Sequence, residues 1–399
     1  MSRPTLELAD IFRQHGPAYR ARQRLPVGHL RVMRAIETCR TAALGGHVES
    51  CGHCAYQRIA YNSCRNRHCP KCQSLAKEQW LQQRKQELLP IPYFHVVFTV
   101  PPVIAALALR NKKAVFQILF RTSAQTLLTI AADPQHLGAH IGFFSILHTW
   151  GQKLLFHPHL HCVVTGGGLS PDKTGWIASR PRFFLSVRVL SRLFRRLFLE
   201  GLEQAYADGQ LHLPGAPEQA CDADSFQRFL KPARTAEWVV YAKPPFGSPA
   251  QVIEYLGRYT HRVAISNQRL LSVNHEQVTF QYKDYGSGDP QRSRQMSLPV
   301  EEFLRRFLLH VLPDGFQRIR HYGLYNNRYR AQNLERCRAL LAGVRSELLP
   351  SHAQLEELRS AIIENAARCP QCKVGRMRRV LTLAALRWSP LLPMAPDTS

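Results

Sequence analysis

The sequence predicts an α+β fold, because helical and strand-like segments mix without the regular alternation of a parallel α/β protein. Apolar residues recur at helical spacing in residues 113–132, whereas residues 93–101 form an apolar strand closed by two prolines. Hydrophobic residues make up 45% of the 399 residues, which is enough to fold as globular protein. A chain of this length accommodates two or three domains.

The predicted elements follow one another along the whole chain. Helical spacing of apolar residues predicts helices within residues 1–38, 76–89, 113–132, 187–202, 249–262 and 300–312. Strands are predicted at residues 93–101, 141–150, 159–169, 238–246 and, around a Gly-Ser-Gly-Asp-Pro turn, within 270–299. Residues 205–235 are more polar and looser. These patterns divide the chain into an N-terminal region with a helix and a Cys/His-rich segment (1–90), a central region of strands and helices (91–300), and a helical C-terminal region with a CxxC pair and a frayed tail (301–399).

The charge of the chain is strongly one-sided. Lys and Arg number 53 against 28 acidic residues, which gives a net charge of +25 at pH 7. Such an excess is an electrostatic footprint for a polyanion, so DNA is the expected partner. The apolar runs are short and interrupted, which argues against a membrane span, and residues 1–15 lack the apolar region of a signal peptide. A cytoplasmic location is therefore expected, and the 11 cysteines need an explanation other than disulfides.

Two CxxC pairs predict a zinc site near the N-terminus. Cys51, Cys54, Cys69 and Cys72 have the spacing of two knuckles that supply four thiolates to a tetrahedral ion. The segment between the pairs alternates like a short hairpin, which would bring the knuckles together. A disulfide or redox pair is the alternative, and a reducing compartment favours zinc.

Further Cys and His residues leave the number of zinc ions open at one or two. Candidates for a second site interleaved with the first are Cys39, His47, Cys64 and His68, unless the cysteine is a core residue and the histidines are surface groups. Near the C-terminus, Cys369-Pro-Gln-Cys372 is half of a zinc site, which either borrows ligands or forms a turn without metal. Arginines around the N-terminal cluster favour DNA recognition by this domain.

Histidines alternate in the predicted strand that contains "FHPHLHCVV". Alternate residues of a strand face the same side, so His159 and His161 can point at one divalent ion. Two imidazoles leave coordination positions open, as a chemical site requires. His157 would lie on the same face, but Pro158 marks the expected start of the strand and makes its alignment less secure.

Two tyrosines in "EYLGRYTHR" are the candidate nucleophiles. Tyr255 and Tyr259 are four residues apart and therefore share a helix face. Contact with the core is the alternative, but the neighbouring Arg258, His261 and Arg262 make this surface cationic and suited to DNA. A phenol becomes a useful nucleophile when a cationic site lowers its pKa and a metal polarises the phosphorus. These parts predict cleavage of single-stranded DNA through a 5′-phosphotyrosine, with a second tyrosine available for strand transfer.

Several motifs together resemble the two-tyrosine HUH rolling-circle transposases of bacterial insertion sequences (the insertion sequence ninety-one family). They are "HPHLHCVVTGGGL", "EYLGRYTHRVAISN", "CRTAALGGHVESCGHC", "YNSCRNRHCPKCQ", "YFHVVFTVP", "LHTWGQ" and "FQRIRHYGLYNNR", which together extend from about residue 30 to 345. The resemblance implies rolling-circle transposition, with transposon ends and target DNA as partners, and action at the nucleoid.

The resemblance also implies a site and a fold. His159 and His161 correspond to the HUH ligands of Mg²⁺ or Mn²⁺, and Tyr255 and Tyr259 correspond to the nucleophiles. Residues 91–300 would form an HUH nuclease and strand-transferase domain, an antiparallel sheet flanked by helices with the histidines on a central strand and the tyrosines on a helix beside it. Residues 1–90 would contain the family's zinc-binding DNA-recognition domain. A third metal ligand is usual in such sites, and the candidates are Gln152, His148, His157 and His95.

Three other functions use some of the same residues. A plasmid or phage replication initiator, or a relaxase, would have the same metal and tyrosine chemistry. A tyrosine recombinase would need no metal and would form a 3′-phosphotyrosine. A zinc-dependent DNA-binding protein would have no catalytic activity. The sequence leaves the oligomeric state, the terminal DNA sequences and the order of the two tyrosines open.

Overall fold

The chain folds into two units in the computed structural model. One unit comprises Met1–Ser74 with Pro350–Ser399, and the other comprises Leu75–Leu349. The structure describes residues 6–73, 80–81, 84, 86–182, 184–213, 223–243, 251–252, 257, 263–284, 293–342 and 368–386. This division differs from the predicted boundaries at residues 90 and 300, because residues 301–342 pack with the larger unit and the C-terminal CxxC belongs to the smaller one.

Helices and strands alternate irregularly in the described residues, which confirms the mixed α+β class. The helices are α1 (Leu8–Arg22), α2 (Val27–Thr38), α3 (Pro102–Arg110), α4 (Lys112–Ala132), α5 (Val187–Ala207), α6 (Ala223–Thr235), α7 (Val300–Leu309) and α8 (Arg330–Leu341). The strands are β1 (Gly46–Cys51), β2 (Gln57–Tyr61), β3 (Tyr93–Thr99), β4 (His140–Trp150), β5 (Phe156–Leu169), β6 (Trp176–Ala178), β7 (Val240–Lys243), β8 (Leu270–Val273), β9 (Gln277–Lys283), β10 (Ser293–Pro299), β11 (Ile319–Gly323) and β12 (Met377–Leu383).

The smaller unit combines a helix pair with a three-stranded sheet. Helices α1 and α2 contact each other, and each buries apolar side chains, such as Phe12 on α1 and Met33 on α2. The antiparallel sheet has the order β12-β1-β2, so a strand from the C-terminal part of the chain pairs with one from the N-terminal part. The predicted helical C-terminal region thus contains, besides α7 and α8, the extended strand β12, which is hydrogen-bonded to β1.

The larger unit is built on an antiparallel sheet of order β11-β4-β5-β3-β7, with β6 added to β5. Alternation along β3 sends Phe94, Val96 and Phe98 into one core cluster, which also contains apolar side chains of α3, α4, α5 and α6. Tyr93 belongs to a second cluster with Phe144 and side chains of α8. Since neighbouring residues of a strand face opposite sides, the sheet has a buried core on each face.

Two further differences from the predicted elements have local causes. Strand β5 begins at Phe156 rather than at His159, and it passes through Pro158. Its pairing with β4 shifts register between His148 and Trp150, where a proline is tolerated because the ladder is already interrupted. The looser segment 205–235 contains α6, whose apolar residues such as Phe226 and Leu230 are buried in the main core.

A third antiparallel sheet, of order β10-β9-β8, lies in the larger unit and contacts α7 through Phe280 and Phe303. Within the described part of the chain, no helix is both long enough and apolar enough to cross a membrane.

Candidate metal centre and cysteine clusters

The central strands of the larger sheet bring three histidines together. His148 on β4 lies directly opposite His159 on β5, and His161 follows two residues later on the same face of β5. One imidazole nitrogen of each histidine lies within 4.8 Å of the others. The antiparallel register therefore assembles a three-nitrogen cluster from two adjacent strands.

Hydrogen bonds orient two of these imidazoles toward a common point. The Nδ1 of His159 donates to the backbone carbonyl of His157 at 2.7 Å, which leaves its Nε2 unprotonated in the neutral ring. That Nε2 lies 3.1 Å from Nε2 of His161. Two ring nitrogens bound at right angles to one ion would lie about 3 Å apart, so the observed separation suits adjacent ligands of a metal.

A fourth histidine lies behind His161. Nε2 of His95, on β3, lies 2.8 Å from Nδ1 of His161, and the two rings stack with an interplanar angle of 12°. If the Nδ1 proton of His161 is donated to His95, Nε2 of His161 is free to bind a metal. His95 was among the predicted third ligands, but its contact with Nδ1 suits a residue that orients His161.

Burial keeps this group of histidines neutral. Desolvation lowers the pKa of His159 to about 4 and that of His95 to about 3. Both rings are therefore unprotonated at neutral pH, as metal ligation requires. Three neutral nitrogens leave coordination positions open, so the residues present fit a divalent ion that also contacts a substrate.

The structure separates the other three candidates for the third ligand. His148 is buried and joins the pair, as described above. The side-chain oxygen of Gln152 instead accepts a hydrogen bond from the Lys283 backbone N–H at 3.4 Å. His157 is exposed; its backbone carbonyl accepts the hydrogen bond from His159, and its ring packs against the His159 ring with centroids 5.2 Å apart, but it is not part of the three-nitrogen cluster. Among the described residues, His148 is thus the best third ligand.

The predicted nucleophiles and DNA-binding residues lie outside the described residues. These are Tyr255 and Tyr259, together with Arg258, His261 and Arg262. Of the predicted helix 249–262, the structure describes Gln251, Val252 and Gly257 as helical. Val252 is 1% exposed and belongs to the core cluster that also contains Phe144 and Val163.

The cysteines form two clusters whose membership differs from the predicted one. The first cluster is Cys39, Cys64, Cys69 and Cys72, and the second is Cys51, Cys54, Cys369 and Cys372. The two N-terminal CxxC pairs therefore belong to different clusters, which corrects their predicted grouping into one site. The cause is the β1–β2 hairpin, which carries Cys51 and Cys54 at its turn, next to β12.

Neither predicted histidine belongs to these clusters. His47 lies on β1, and its Nε2 contacts Glu49 Oε1 at 3.1 Å. The backbone N–H of His68 donates to Asn66 Oδ1 at 2.9 Å. Beside Cys39 and Cys64, the places expected for the two histidines are taken by Cys69 and Cys72.

Sulfur separations in the first cluster fit a tetrahedral zinc ion. Sγ of Cys72 lies 3.6 Å from Sγ of Cys39 and 3.6 Å from Sγ of Cys64. A tetrahedron with zinc–sulfur bonds of about 2.3 Å has edges of about 3.8 Å, whereas a disulfide would require about 2.05 Å. All four cysteines are free thiols. The chemistry of the donors and their spacing both fit zinc.

The thiols of the first cluster also compete for negative charge. Hydrogen bonds from neighbouring thiols, that of Cys64 foremost, lower the pKa of Cys39 to about 2. The contact with Cys39 raises the pKa of Cys69 far above its usual value. Several thiolates can exist side by side only when a cation compensates their repulsion.

Two family models match the chain. The model described as "Transposase zinc-binding domain" matches residues 11–100, and the one described as "Putative transposase" matches residues 142–333. The second range contains His148, His159 and His161. The first contains the whole first cysteine cluster but ends long before Cys369 and Cys372.

Two curated relatives extend this result. The chain is 58% identical over 383 residues to "Putative transposase y4qJ" of Sinorhizobium fredii, covering 94% of this chain and 95% of the relative. It is 30% identical over 304 residues to the transposase for insertion sequence element IS801 of Pseudomonas savastanoi pv. phaseolicola, covering 74% of this chain and 70% of the relative. The chain belongs to the IS91 family of insertion-sequence transposases. No solved structure matches it.

Membership of the IS91 family has direct consequences. A transposase of an insertion sequence acts on DNA and cleaves it, which agrees with the net charge of +25. Zinc binding by the N-terminal domain agrees with the first cysteine cluster. Sequence reasoning missed the orienting role of His95, for which the signal was a lone histidine in the apolar strand "YFHVVFTVP".

Proposed function

We propose that this IS91-family transposase nicks and joins single-stranded DNA at transposon ends by metal-assisted tyrosine attack. The observation that carries the proposal is the cluster of His148, His159 and His161, which presents three nitrogens to one point and leaves other coordination positions open. Such a centre suits Mg²⁺ or Mn²⁺ in contact with a phosphate, as in rolling-circle transposition by HUH enzymes.

The proposed chemistry is a transesterification. A bound divalent ion would polarise a non-bridging oxygen of the scissile phosphate and stabilise the charge that develops there. The hydroxyl oxygen of Tyr255 or Tyr259 forms a bond to phosphorus, while the bond from phosphorus to the 3′ oxygen breaks. The products are a 5′-phosphotyrosine and a 3′-hydroxyl, and the reverse reaction joins a new 3′-hydroxyl without external energy.

The position of Val252 supports a tyrosine nucleophile near the histidines. Val252 belongs to the same core cluster as Phe144 and Val163, which lie on the same sheet face as His148 and His161 because they occupy alternate positions of β4 and β5. On a helix, the third and seventh residues after Val252 share its face. Those residues are Tyr255 and Tyr259, so we expect both phenols on the side of the metal centre.

The decisive experiment follows covalent adducts on a labelled single-stranded transposon end. With Mn²⁺, the wild-type protein should form an adduct that maps to Tyr255 or Tyr259. Tyr255→Phe combined with Tyr259→Phe should abolish the adduct while DNA binding persists. Tyr241→Phe is the matched control, because Tyr241 is an exposed tyrosine on the edge strand β7 of the same sheet.

Four results would overturn the proposal. Adducts that persist in the double variant would reject these nucleophiles. Cleavage at the full rate in EDTA would reject the metal and favour a tyrosine recombinase. DNA binding without any adduct in Mn²⁺ or Mg²⁺ would favour a non-catalytic DNA-binding protein. Adduct formation without movement of a marked element in cells would favour a replication initiator or relaxase.

A further inference from the structure

We propose that Cys51, Cys54, Cys369 and Cys372 bind a second zinc ion, which fastens residues 368–386 to the N-terminal hairpin. The matched zinc-binding domain ends at residue 100, so half of these ligands lie outside it. The proposal concerns the smaller unit alone and is independent of the nuclease chemistry.

The four thiols have the spacing that a tetrahedral ion requires. Sγ of Cys51 lies 3.8 Å from Sγ of Cys372, and Sγ of Cys54 lies 3.7 Å from Sγ of Cys369. These separations match the edge of about 3.8 Å expected for zinc bound to four sulfurs. Each close pair consists of one cysteine from each CxxC segment, so the sulfurs of the two segments form a single cluster.

The two CxxC loops have the same backbone form. In the first loop the backbone N–H of Ala55 donates to the carbonyl of Cys51 at 3.2 Å, and in the second the N–H of Lys373 donates to the carbonyl of Cys369 at 3.0 Å. Ala55 and Lys373 each follow the second cysteine of their loop, and both have left-handed backbones with φ of 55° and 61°. A left-handed conformation is unfavourable for these residue types, so it indicates a loop shaped by a local constraint.

The first cluster shows the same feature. Arg40 follows Cys39 and Arg65 follows Cys64, and their φ angles are 58° and 52°. Four of the seven non-glycine residues with positive φ in the described chain thus come directly after a clustered cysteine. The second cluster therefore shares the loop geometry of the cluster that lies wholly within the zinc-binding domain.

Backbone N–H groups also point at the sulfurs of the second cluster. The N–H of His53 donates to Cys51 Sγ at 3.4 Å, and the N–H of Gly375 donates to Cys372 Sγ at 3.3 Å. Such donors stabilise thiolate over thiol, and thiolate is the form that binds zinc. Each CxxC loop contributes one of these hydrogen bonds.

Gly375 allows the two loops to approach each other. A Cβ atom at this position would lie 2.4 Å from Cys51 Sγ and 2.6 Å from His53 Cβ. A thiol that is free to rotate could move away from a methyl group, but a sulfur fixed by a metal could not. Gly52, in the opposite loop, has open space where its Cβ would be, with nothing within 4 Å. The two glycines therefore provide a matched pair of positions.

The test measures zinc in the purified full-length protein by elemental mass spectrometry. The wild type should contain two zinc ions per chain, and Cys369→Ser with Cys372→Ser should contain one. Cobalt(II) substitution should show tetrahedral thiolate bands whose intensity halves in the double variant. One zinc in the wild type, or two in the double serine variant, would overturn the proposal.

Gly375→Ala keeps all eight clustered cysteines and therefore tests the geometry alone. We expect it to release its second zinc to a competing chelator at least tenfold more readily than the wild type, while Gly52→Ala behaves as the wild type does. Equal zinc release by the two alanine variants would contradict a metal at this cluster, including in the event that the double serine variant fails to fold.

Discussion

The histidine centre and the first cysteine cluster place their ligands in contrasting ways. His148, His159 and His161 come from two adjacent strands of one sheet and offer three nitrogens, which leaves coordination positions open. The cysteine cluster offers four sulfurs, and four thiolates close the coordination sphere of zinc. An open centre suits reaction with a substrate, whereas a closed one stabilises a fold. Substitutions should therefore have different consequences in the two places.

His161→Ala should have the largest effect on catalysis. Loss of a central ligand should lower the rate of DNA adduct formation by roughly 10³-fold or more, because a metal contributes several kcal/mol to charge stabilisation. Its zinc content should equal that of the wild type. The reciprocal variant, Cys64→Ser, should lose zinc and lower the melting temperature of the smaller unit. Adduct kinetics and zinc analysis on both proteins provide the check.

His157→Ala is the matched control on the same strand. The hydrogen bond between His157 and His159 uses the backbone carbonyl of His157, which alanine retains, so the substitution removes only the tilted packing of the two rings. Adduct formation should therefore remain close to the wild-type rate. A loss as large as that of His161→Ala would make His157 the third ligand in place of His148.

An intermediate effect is expected at His95, which positions His161. His95→Phe removes the partner of His161 Nδ1 and should weaken Mn²⁺ binding by about 10–100-fold, the usual effect of losing such a partner. His95→Gln, which retains a hydrogen-bonding group, should lose less. The measurement is the Mn²⁺ concentration for half-maximal adduct formation. Saturating Mn²⁺ should restore most of the rate, and failure of this rescue would indicate a purely structural defect.

The smallest effect concerns acid stability. His310 is 2% exposed, and burial lowers its pKa to about 3, below the value of 6.5 in an unfolded chain. The unfolded chain therefore binds one more proton between these values, so the stability contributed by neutral His310 is full above pH 6.5 and declines as the pH falls toward 3. The slope approaches about 1.4 kcal/mol per pH unit. Denaturant unfolding at several pH values should show a shallower dependence for His310→Gln, and an unchanged slope would contradict this.

Strand periodicity made part of the metal centre predictable from the sequence. Alternation alone places His159 and His161 on one face, and the structure brings them together. His148 could be named only as one of several candidates, because the register of β4 against β5 depends on pairing across the sheet rather than on local spacing. The apolar segments around the histidines likewise predicted the strands. Strand β5, however, begins at Phe156 rather than at the predicted His159, because it continues through Pro158.

Local spacing was misleading for the cysteines. The two N-terminal CxxC pairs have the spacing of a single zinc site, yet Cys69 and Cys72 lie with Cys39 and Cys64. Pairing of β1 with β12 brings Cys369 and Cys372 to Cys51 and Cys54. The local spacing of cysteines does not predict a contact between segments so far apart in the chain. Long-range strand pairing, rather than the spacing of ligands, decides which thiols meet.

The pairing of β1 with β12 has a consequence for biosynthesis. Strand β1 leaves the ribosome long before β12 does, so the three-stranded sheet of the smaller unit cannot close until the intervening residues 75–349 have emerged. All strands of the sheet that contains β3, β4 and β5 in the larger unit emerge before β12 does. A prematurely terminated product would lack β12 and leave an unpaired strand edge, a feature that favours aggregation and degradation. Completion of the sheet in the smaller unit therefore follows synthesis of the larger unit.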